Sequence, residues 1–336
     1  MMKKKWLGML LPLFGSLGTH LIYAAEIQPL IVNGSDVSIS DAPWQVYLRG
    51  TNGASTVGCG GSIIADNYVL TAAHCLYAYS SYTFTVYAGN AEWRDGSQHV
   101  VTARYIHEDY DNTNLLNDIA LVKISGTLPA NTKAIQLVSE DNQTAFDNEA
   151  ATNTQDNLTV TGWGTTTQNR QNAAERLQGT TMTGVADAVC YWNQDSNNNY
   201  SQQLADMTIC ANNDEEKGAC TGDSGGPLVW KDPSHASDSD GGSRLIGVVS
   251  FTWVTECANT SYPDGFAEVS NYLSWISEKI TASGGDGDSV TGGGTGGSGN
   301  GGALVGGGGS FPLLSLLMLV ISSLSQRMKS PRKCPR

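Results

Sequence analysis

Three stretches of the sequence carry side chains that could work together as a nucleophile and its activating base. TGDSGGP holds Ser224, LTAAHC holds His74 and LLNDIALVKI holds Asp118. A serine hydroxyl is a weak nucleophile at neutral pH. It becomes a strong one when an imidazole takes its proton and a carboxylate fixes the imidazole's tautomer and charge. Glycines at 222, 225 and 226 let the chain turn sharply around the serine. Such a turn aims the amides of Gly222 and Ser224 at the oxyanion that develops in acyl transfer. His20, His99, His107 and His235 lie in no comparable setting and read as structural or surface residues.

GDSGG also fits G-x-S-x-G, the strand–turn–helix elbow of α/β-hydrolases, so the serine alone leaves the fold open. That fold orders its triad Ser, Asp, His. After Ser224 the chain has only His235, in an acidic loop and off any strand. The order here is His74, Asp118, Ser224, the order of chymotrypsin-like proteases.

The elements that must position these residues are strands. WQVYLRG, CGGSIIADNYVLTAA, TFTVYAGN, HVVTARYIH, DIALVKI, NLTVTGWGT, GPLVW and RLIGVVSF favour Val, Ile, Thr, Tyr and Trp, with Gly, Asn and Asp between them. No sustained helical period arises before the end. There Leu273, Ile276 and Ile280 predict a helix over about 271–281, with Ser270 or Asn271 as N-cap. Residues 193–203 and 231–244 read as polar surface loops. The fold class is all-β with a terminal helix, its strands closed as sandwiches or barrels.

The two ends of the 336-residue chain differ from its middle. Residues 1–25 combine three lysines, an apolar run and small residues before the expected cut, the pattern of a secretory signal peptide. Residues 282–310 are a Gly-rich linker, residues 311–324 an apolar segment, and residues 325–336 a basic tail. The apolar segment is shorter than the roughly 20 residues a spanning helix needs, yet its basic flank would stay cytoplasmic, so a membrane anchor is expected. The ends hold eight of the 19 Lys and Arg, leaving 11 against 32 acids in the middle, a net charge of −21. A middle this acidic repels nucleic acid, and no nucleic-acid partner is expected. Its six cysteines, Cys59, Cys75, Cys190, Cys210, Cys220 and Cys257, imply three disulfides in an exported protein, though spacing leaves the pairing open. No C-x-x-C pair and scattered histidines argue against a zinc site; no metal or cofactor is expected. The acids around Glu92 and Asp95 offer calcium ligands without a recognisable spacing.

IVNG at 31–34, PWQV at 43–46, TAAHC at 71–75, DIAL at 118–121, GWG at 162–164, GDSGGP at 222–227 and VVSF at 248–251 stand in one order. With these seven motifs the chain resembles the trypsin/chymotrypsin (S1) family of serine endopeptidases over residues 31 to about 281. The resemblance implies two six-stranded antiparallel β-barrels, about 31–145 and 150–270, a terminal helix, and a triad in the cleft between the barrels. It implies the pairs Cys59–Cys75, Cys190–Cys210 and Cys220–Cys257. It makes Ser224 the nucleophile, His74 the general base and then acid, and Asp118 its orienting partner. The Gly222 and Ser224 amides become the oxyanion hole, and Ser250 a hydrogen-bond partner near Asp118. Residues Ser250 to Thr252 would pair with the substrate backbone as an added strand. Asp223 would take the new ammonium of Ile31 once a short propeptide, EIQPL at 26–30, is cut away. That cut follows Leu30, so a trypsin-like activator is not the obvious agent.

Specificity departs from the trypsin pattern. Trypsin-like enzymes carry an aspartate six residues before the nucleophile, where this chain has Gly218. Asp264, in YPDGFAEV, aligns with the opposite pocket wall, and Thr252 stands where a wall glycine is usual. Gly218 and Ala219 leave room at the base. Two outcomes stay open: Arg or Lys accepted through Asp264, or small or medium aliphatic residues selected by a mouth narrowed at Thr252. The C-terminal tail resembles the GlyGly-CTERM sorting signal of Gram-negative bacteria. This resemblance implies a transient inner-membrane anchor, a rhomboid-type processing protease, type II secretion and a secreted or cell-surface product. A plain periplasm-facing anchor is the alternative. The expected protein is a monomer acting on proteins or peptides. Its rivals are a catalytically silent homologue serving as a binding protein and an α/β-hydrolase esterase.

Overall fold

A computed structural model describes residues 31–152 and 156–282. The expected signal peptide, propeptide, apolar segment and basic tail lie outside the described residues, as does the Gly-rich linker beyond residue 282. A short strand β1 (Ser35–Asp36) precedes the first barrel. That barrel consists of β2 (Gln45–Asn52), β3 (Ser55–Ala65), β4 (Tyr68–Thr71), β5 (Thr83–Ala88), β6 (Ser97–Ile106) and β7 (Ala120–Ile124). They close in the order β2-β3-β4-β7-β6-β5, with Val46 facing Gly61 on one side and Ala88 on the other. Val46, Leu48, Val69, Leu70, Val86, Leu121 and Val122 are fully buried and fill the interior. Closure leaves no free sheet edge, which the apolar strands could not otherwise tolerate.

β8 (Gln136–Leu137) then leads to the second barrel. Its strands are β9 (Leu158–Gly162), β10 (Gln178–Val185), β11 (Thr208–Asn212), β12 (Pro227–Lys231), β13 (Ser243–Phe251) and β14 (Asp264–Glu268). They run β10-β11-β14-β13-β12-β9, and β9 returns to β10 to close the ring. All pairings within both barrels are antiparallel, and the chain crosses between them as straps: β1 pairs β10 and β8 runs parallel to β13. The fold is therefore two closed six-stranded antiparallel barrels with a C-terminal helix, as the sequence resemblance implies. Three disulfides form with the implied pairing, Cys59–Cys75, Cys190–Cys210 and Cys220–Cys257.

Of the short helices α1 (His74–Tyr77), α2 (Glu140–Ala150), α3 (Gln202–Ala205) and α4 (Leu273–Ala282), the second departs from the sequence expectation of no helix before the end. α2 buries only Gln143, Phe146 and Ala150, so its apolar stripe is too thin to register as a period. Its signal is at its start, where the Ser139 hydroxyl accepts the Asn142 amide and Glu140 and Asp141 occupy the first turn. At the other end, a 3₁₀ turn over Val269–Tyr272 precedes α4. Ser270 there donates to Glu268 Oε1 at 2.5 Å rather than capping a helix.

Candidate active site

His74 opens α1 immediately after β4, where the Cys59–Cys75 disulfide pins that turn to β3. Asp118 lies two residues ahead of β7 and is buried, at 1% exposure. The carboxylate holds the histidine at two points. Its Oδ1 accepts the His74 amide at 2.8 Å, and its Oδ2 pairs with His74 Nδ1 at 2.7 Å. Ser250, near the end of β13, donates its hydroxyl to the same Oδ2 at 2.5 Å. A ring whose Nδ1–H is given to a carboxylate carries its lone pair on Nε2. Burial works against charging His74, but the Asp118 charge and hydrogen bond outweigh it, and its pKa lies above the usual 6.5.

Ser224 sits on the turn before β12, on the second barrel. The Gly60 amide of β3 donates to the Ser224 carbonyl at 2.7 Å, so the Ser224 turn is docked against the first barrel. The Cys75 sulfur is 3.8 Å from His74 Nε2 and 3.6 Å from Ser224 O, which puts histidine and serine around one sulfur. Among the described residues no hydrogen bond joins Ser224 Oγ to His74 Nε2. Catalytic hydrogen bonds of this kind tighten when substrate arrives.

The turn itself is shaped by Gly222 at φ 103° and Gly225 at φ 80°, a backbone region that L side chains rarely adopt. A Cβ on Gly225 would strike Thr71 Oγ1 and come within 2.6 Å of the Gly60 carbonyl. The turn also sorts its amides. Those of Asp223, Gly225 and Gly226 bond Cys220 O, Val249 O and Asp223 O, whereas those of Gly222 and Ser224 have no acceptor among the described residues. Two unspent donors thus flank the serine hydroxyl.

Asp223 points inward and is fully buried, accepting the Gly164 amide at 2.7 Å and the Cys220 amide at 2.9 Å. No Lys, Arg or His side chain among the described residues pairs with it, and burial pushes its pKa up to about 7. Ile31 is also fully buried, and Val32 forms a bridge with Gly218.

Gly218 and Asp264 lie against each other. A Cβ on Gly218 would lie 2.5 Å from Asp264 Oδ2, so the carboxylate fills the space a longer residue 218 would need. The Ala219 amide donates to Oδ2 at 2.8 Å, while Asp264 Oδ1 and Thr252 Oγ1 are buried without a hydrogen bond of normal geometry. Burial pushes Asp264 up to about 7, against the opposing pull of the Thr252 hydroxyl and the Ala219 amide. The Cys220–Cys257 disulfide ties the two walls together.

Arg170 and Thr221, which no sequence signal singled out, also belong to this region: the guanidinium donates to Thr221 Oγ1 and to the Trp253 carbonyl. A lone arginine in the polar run TTTQNRQN has no local pattern that announces such a contact. Of the acids around Glu92 and Asp95, Glu92 accepts Arg176 at 3.3 Å, and Arg176 also pairs with Asp36. Among the described residues, Cys59, His74 and Cys75 bring ligand atoms within 4.8 Å, but both sulfurs are spent in a disulfide and supply no thiolate.

A family model described as trypsin matches residues 31–276. Trypsin Blo t 3 of Blomia tropicalis is 35% identical over 274 residues, covering 80% of this chain and 92% of that protein. Trypsin delta of Drosophila melanogaster is 36% identical over 254 residues, covering 75% and 88%. Among solved structures, HL collagenase aligns with TM-score 0.61 at 29% identity, over 75% of this chain and 99% of the other. Neuropsin, a serine protease expressed in the limbic system of mouse brain, aligns with TM-score 0.57 over 74% and 100%. At 23% identity it speaks for the fold alone. Matched by the family model across both barrels, and by trypsins over most of their length, the chain belongs to the trypsin family of serine endopeptidases.

Proposed function

We propose that Ser224 is the nucleophile of a peptide-bond hydrolysis in which His74 moves the proton and Asp118 orients His74. The observation that carries this reading is the doubly held His74–Asp118 pair, with Cys75 Sγ 3.8 Å from His74 Nε2 and 3.6 Å from Ser224 O. In the acylation step His74 Nε2 takes the Ser224 proton as Oγ attacks the scissile carbonyl. The oxyanion so formed is received by the free Gly222 and Ser224 amides. His74 then gives its proton to the leaving amine, and water repeats the sequence to release the acid. Ser250 spreads the Asp118 charge and fixes its rotamer, so that residue positions rather than reacts. Ser224→Ala is expected to lower kcat on peptide substrates by a factor on the order of 10⁶. A variant that kept more than a tenth of parent activity would remove Ser224 from the mechanism.

The chain is further read as a zymogen cut before Ile31. In the uncut chain the Ile31 nitrogen is a peptide nitrogen, and the buried Asp223 has only amide partners. A freed ammonium at Ile31 would supply the missing charge. The preference at the cleaved position is read as mixed. Asp264 Oδ1 is a buried oxygen without a partner, which a substrate guanidinium or ammonium would satisfy. Thr252 and a carboxyl with pKa near 7 favour aliphatic side chains instead.

Export and tail trimming complete the proposal: secretion across the inner membrane, a transient anchor at 311–324, cleavage by a rhomboid-type protease and type II secretion. Its support is the sequence pattern of the two ends and three disulfides that require an oxidising compartment. No helix among the described residues is long and apolar enough to cross a membrane. Intact mass and N-terminal sequence of exported protein check both cuts. Material beginning at Ile31 and ending before Phe311 is expected, and recovery of residues 311–336 on it contradicts the trimming.

A further inference from the structure

We propose that Arg170 is a specificity-determining residue, whose guanidinium bars the mouth of the Asp264 pocket and selects against basic side chains at the cleaved position. This rests on the reading of Asp264 as the pocket carboxylate that would meet a basic side chain, given above.

Arg170 Nη1 donates to Thr221 Oγ1 at 3.0 Å, and Nη2 donates to Trp253 O at 2.7 Å and Val254 O at 3.3 Å. Thr221 stands three residues before Ser224, and Trp253 and Val254 directly follow Thr252. One side chain therefore joins the wall that carries the nucleophile to the wall that carries Ser250 and Thr252.

The loop bearing Arg170 is fastened for this purpose at several points. The Thr165 amide donates to Thr221 O at 2.7 Å, and the Cys257 amide donates to Gln168 O at 3.1 Å. Thr165 also forms a bridge with Ala173. Arg170 itself has φ 63°, a conformation uncommon for a long side chain, and the surrounding bonds hold it there. The anchor continues toward the pocket carboxylate, because Trp253 stacks on Tyr262 at 3.7 Å and 5°, two residues before Asp264.

The consequences for substrate follow from charge and shape. An arginine side chain is always protonated, so a fixed positive charge stands where a substrate guanidinium or ammonium must enter. Like charges brought together across a binding surface cost affinity, whereas an aliphatic side chain meets no such opposition. The forked guanidinium further keeps Trp253 O and Val254 O occupied and the two walls at a fixed separation.

The test is the ratio of kcat/KM for otherwise identical peptides with Arg or Leu at the cleaved position. It is read on the parent enzyme, on Arg170→Ala and on Arg170→Ala combined with Asp264→Asn. Because both substrates are measured on one enzyme, the ratio does not depend on the fraction that folds. Arg170→Gln, which keeps donors for the carbonyls without the charge, serves if the alanine variant does not accumulate. The expected result is a rise of about fivefold or more on removing Arg170, abolished when Asp264 is also replaced. A ratio within twofold of the parent overturns the proposal and leaves the Asp264 reading standing. A rise that persists in the double variant keeps Arg170 as the gate and overturns Asp264 as the carboxylate that meets a basic side chain.

Discussion

Asp264 and His74 are both shifted upward in pKa, and for opposite reasons. Desolvation raises the Asp264 carboxyl to about 7, so below that pH the pocket carboxyl is uncharged. His74 lies above 6.5 because Asp118 favours its cation, and it serves as a base only when neutral. Activity on any substrate should thus fall as the pH drops through the His74 value. The Arg-to-Leu ratio of kcat/KM removes that shared limb and isolates Asp264. It should rise with pH through about 7 and become flat in Asp264→Asn. A ratio already flat in the parent would mean that Asp264 does not meet the substrate. At this scale the candidate triad was legible in the sequence, since distant His74 and Asp118 gave GDSGG its meaning. The pocket was legible only as two alternatives: Gly218 and Asp264 could be paired by position, while the missing partner on Asp264 Oδ1 is a fact of packing.

The Ser224 turn and the loops around it carry the candidate site at the scale of elements. The turn is pressed between the barrels, with Gly60 bonded to the Ser224 carbonyl and Thr71 against Gly225. Gly225→Ala combines a positive φ with a collision, and is expected to cost on the order of 2 kcal/mol or more of stability. Chemical denaturation measures it, and an alanine variant as stable as the parent would show that the turn is not so tightly held. The strands were readable because their β-branched runs and punctuation are local. Helix α2 was not, because it buries only three side chains along one thin stripe. Arg170 was not readable for a related reason: its partners Thr221 and Trp253 are 51 and 83 residues away in sequence.

For the whole molecule, the proposed cut before Ile31 would couple activation to stability through Asp223. In the uncut chain its folded pKa is raised from 3.8 to about 7, so the folded state holds a proton that the unfolded state releases. That contribution is neutral below about pH 4 and grows more destabilising as pH rises to about 7, by on the order of 4 kcal/mol. Cleavage before Ile31 should remove this slope by supplying an ammonium. Urea unfolding of the uncut Ser224→Ala chain and the cut enzyme, at pH 5 and pH 8, measures the difference. Equal slopes would separate Asp223 from Ile31. The central claim is that Ser224 is activated by His74, and a fluorophosphonate probe tests it most directly. Intact mass and peptide mapping should find one adduct, on Ser224, that disappears in Ser224→Ala and forms far more slowly in His74→Ala. Labelling elsewhere, or peptide hydrolysis by a cut enzyme that takes no label on Ser224, would contradict it.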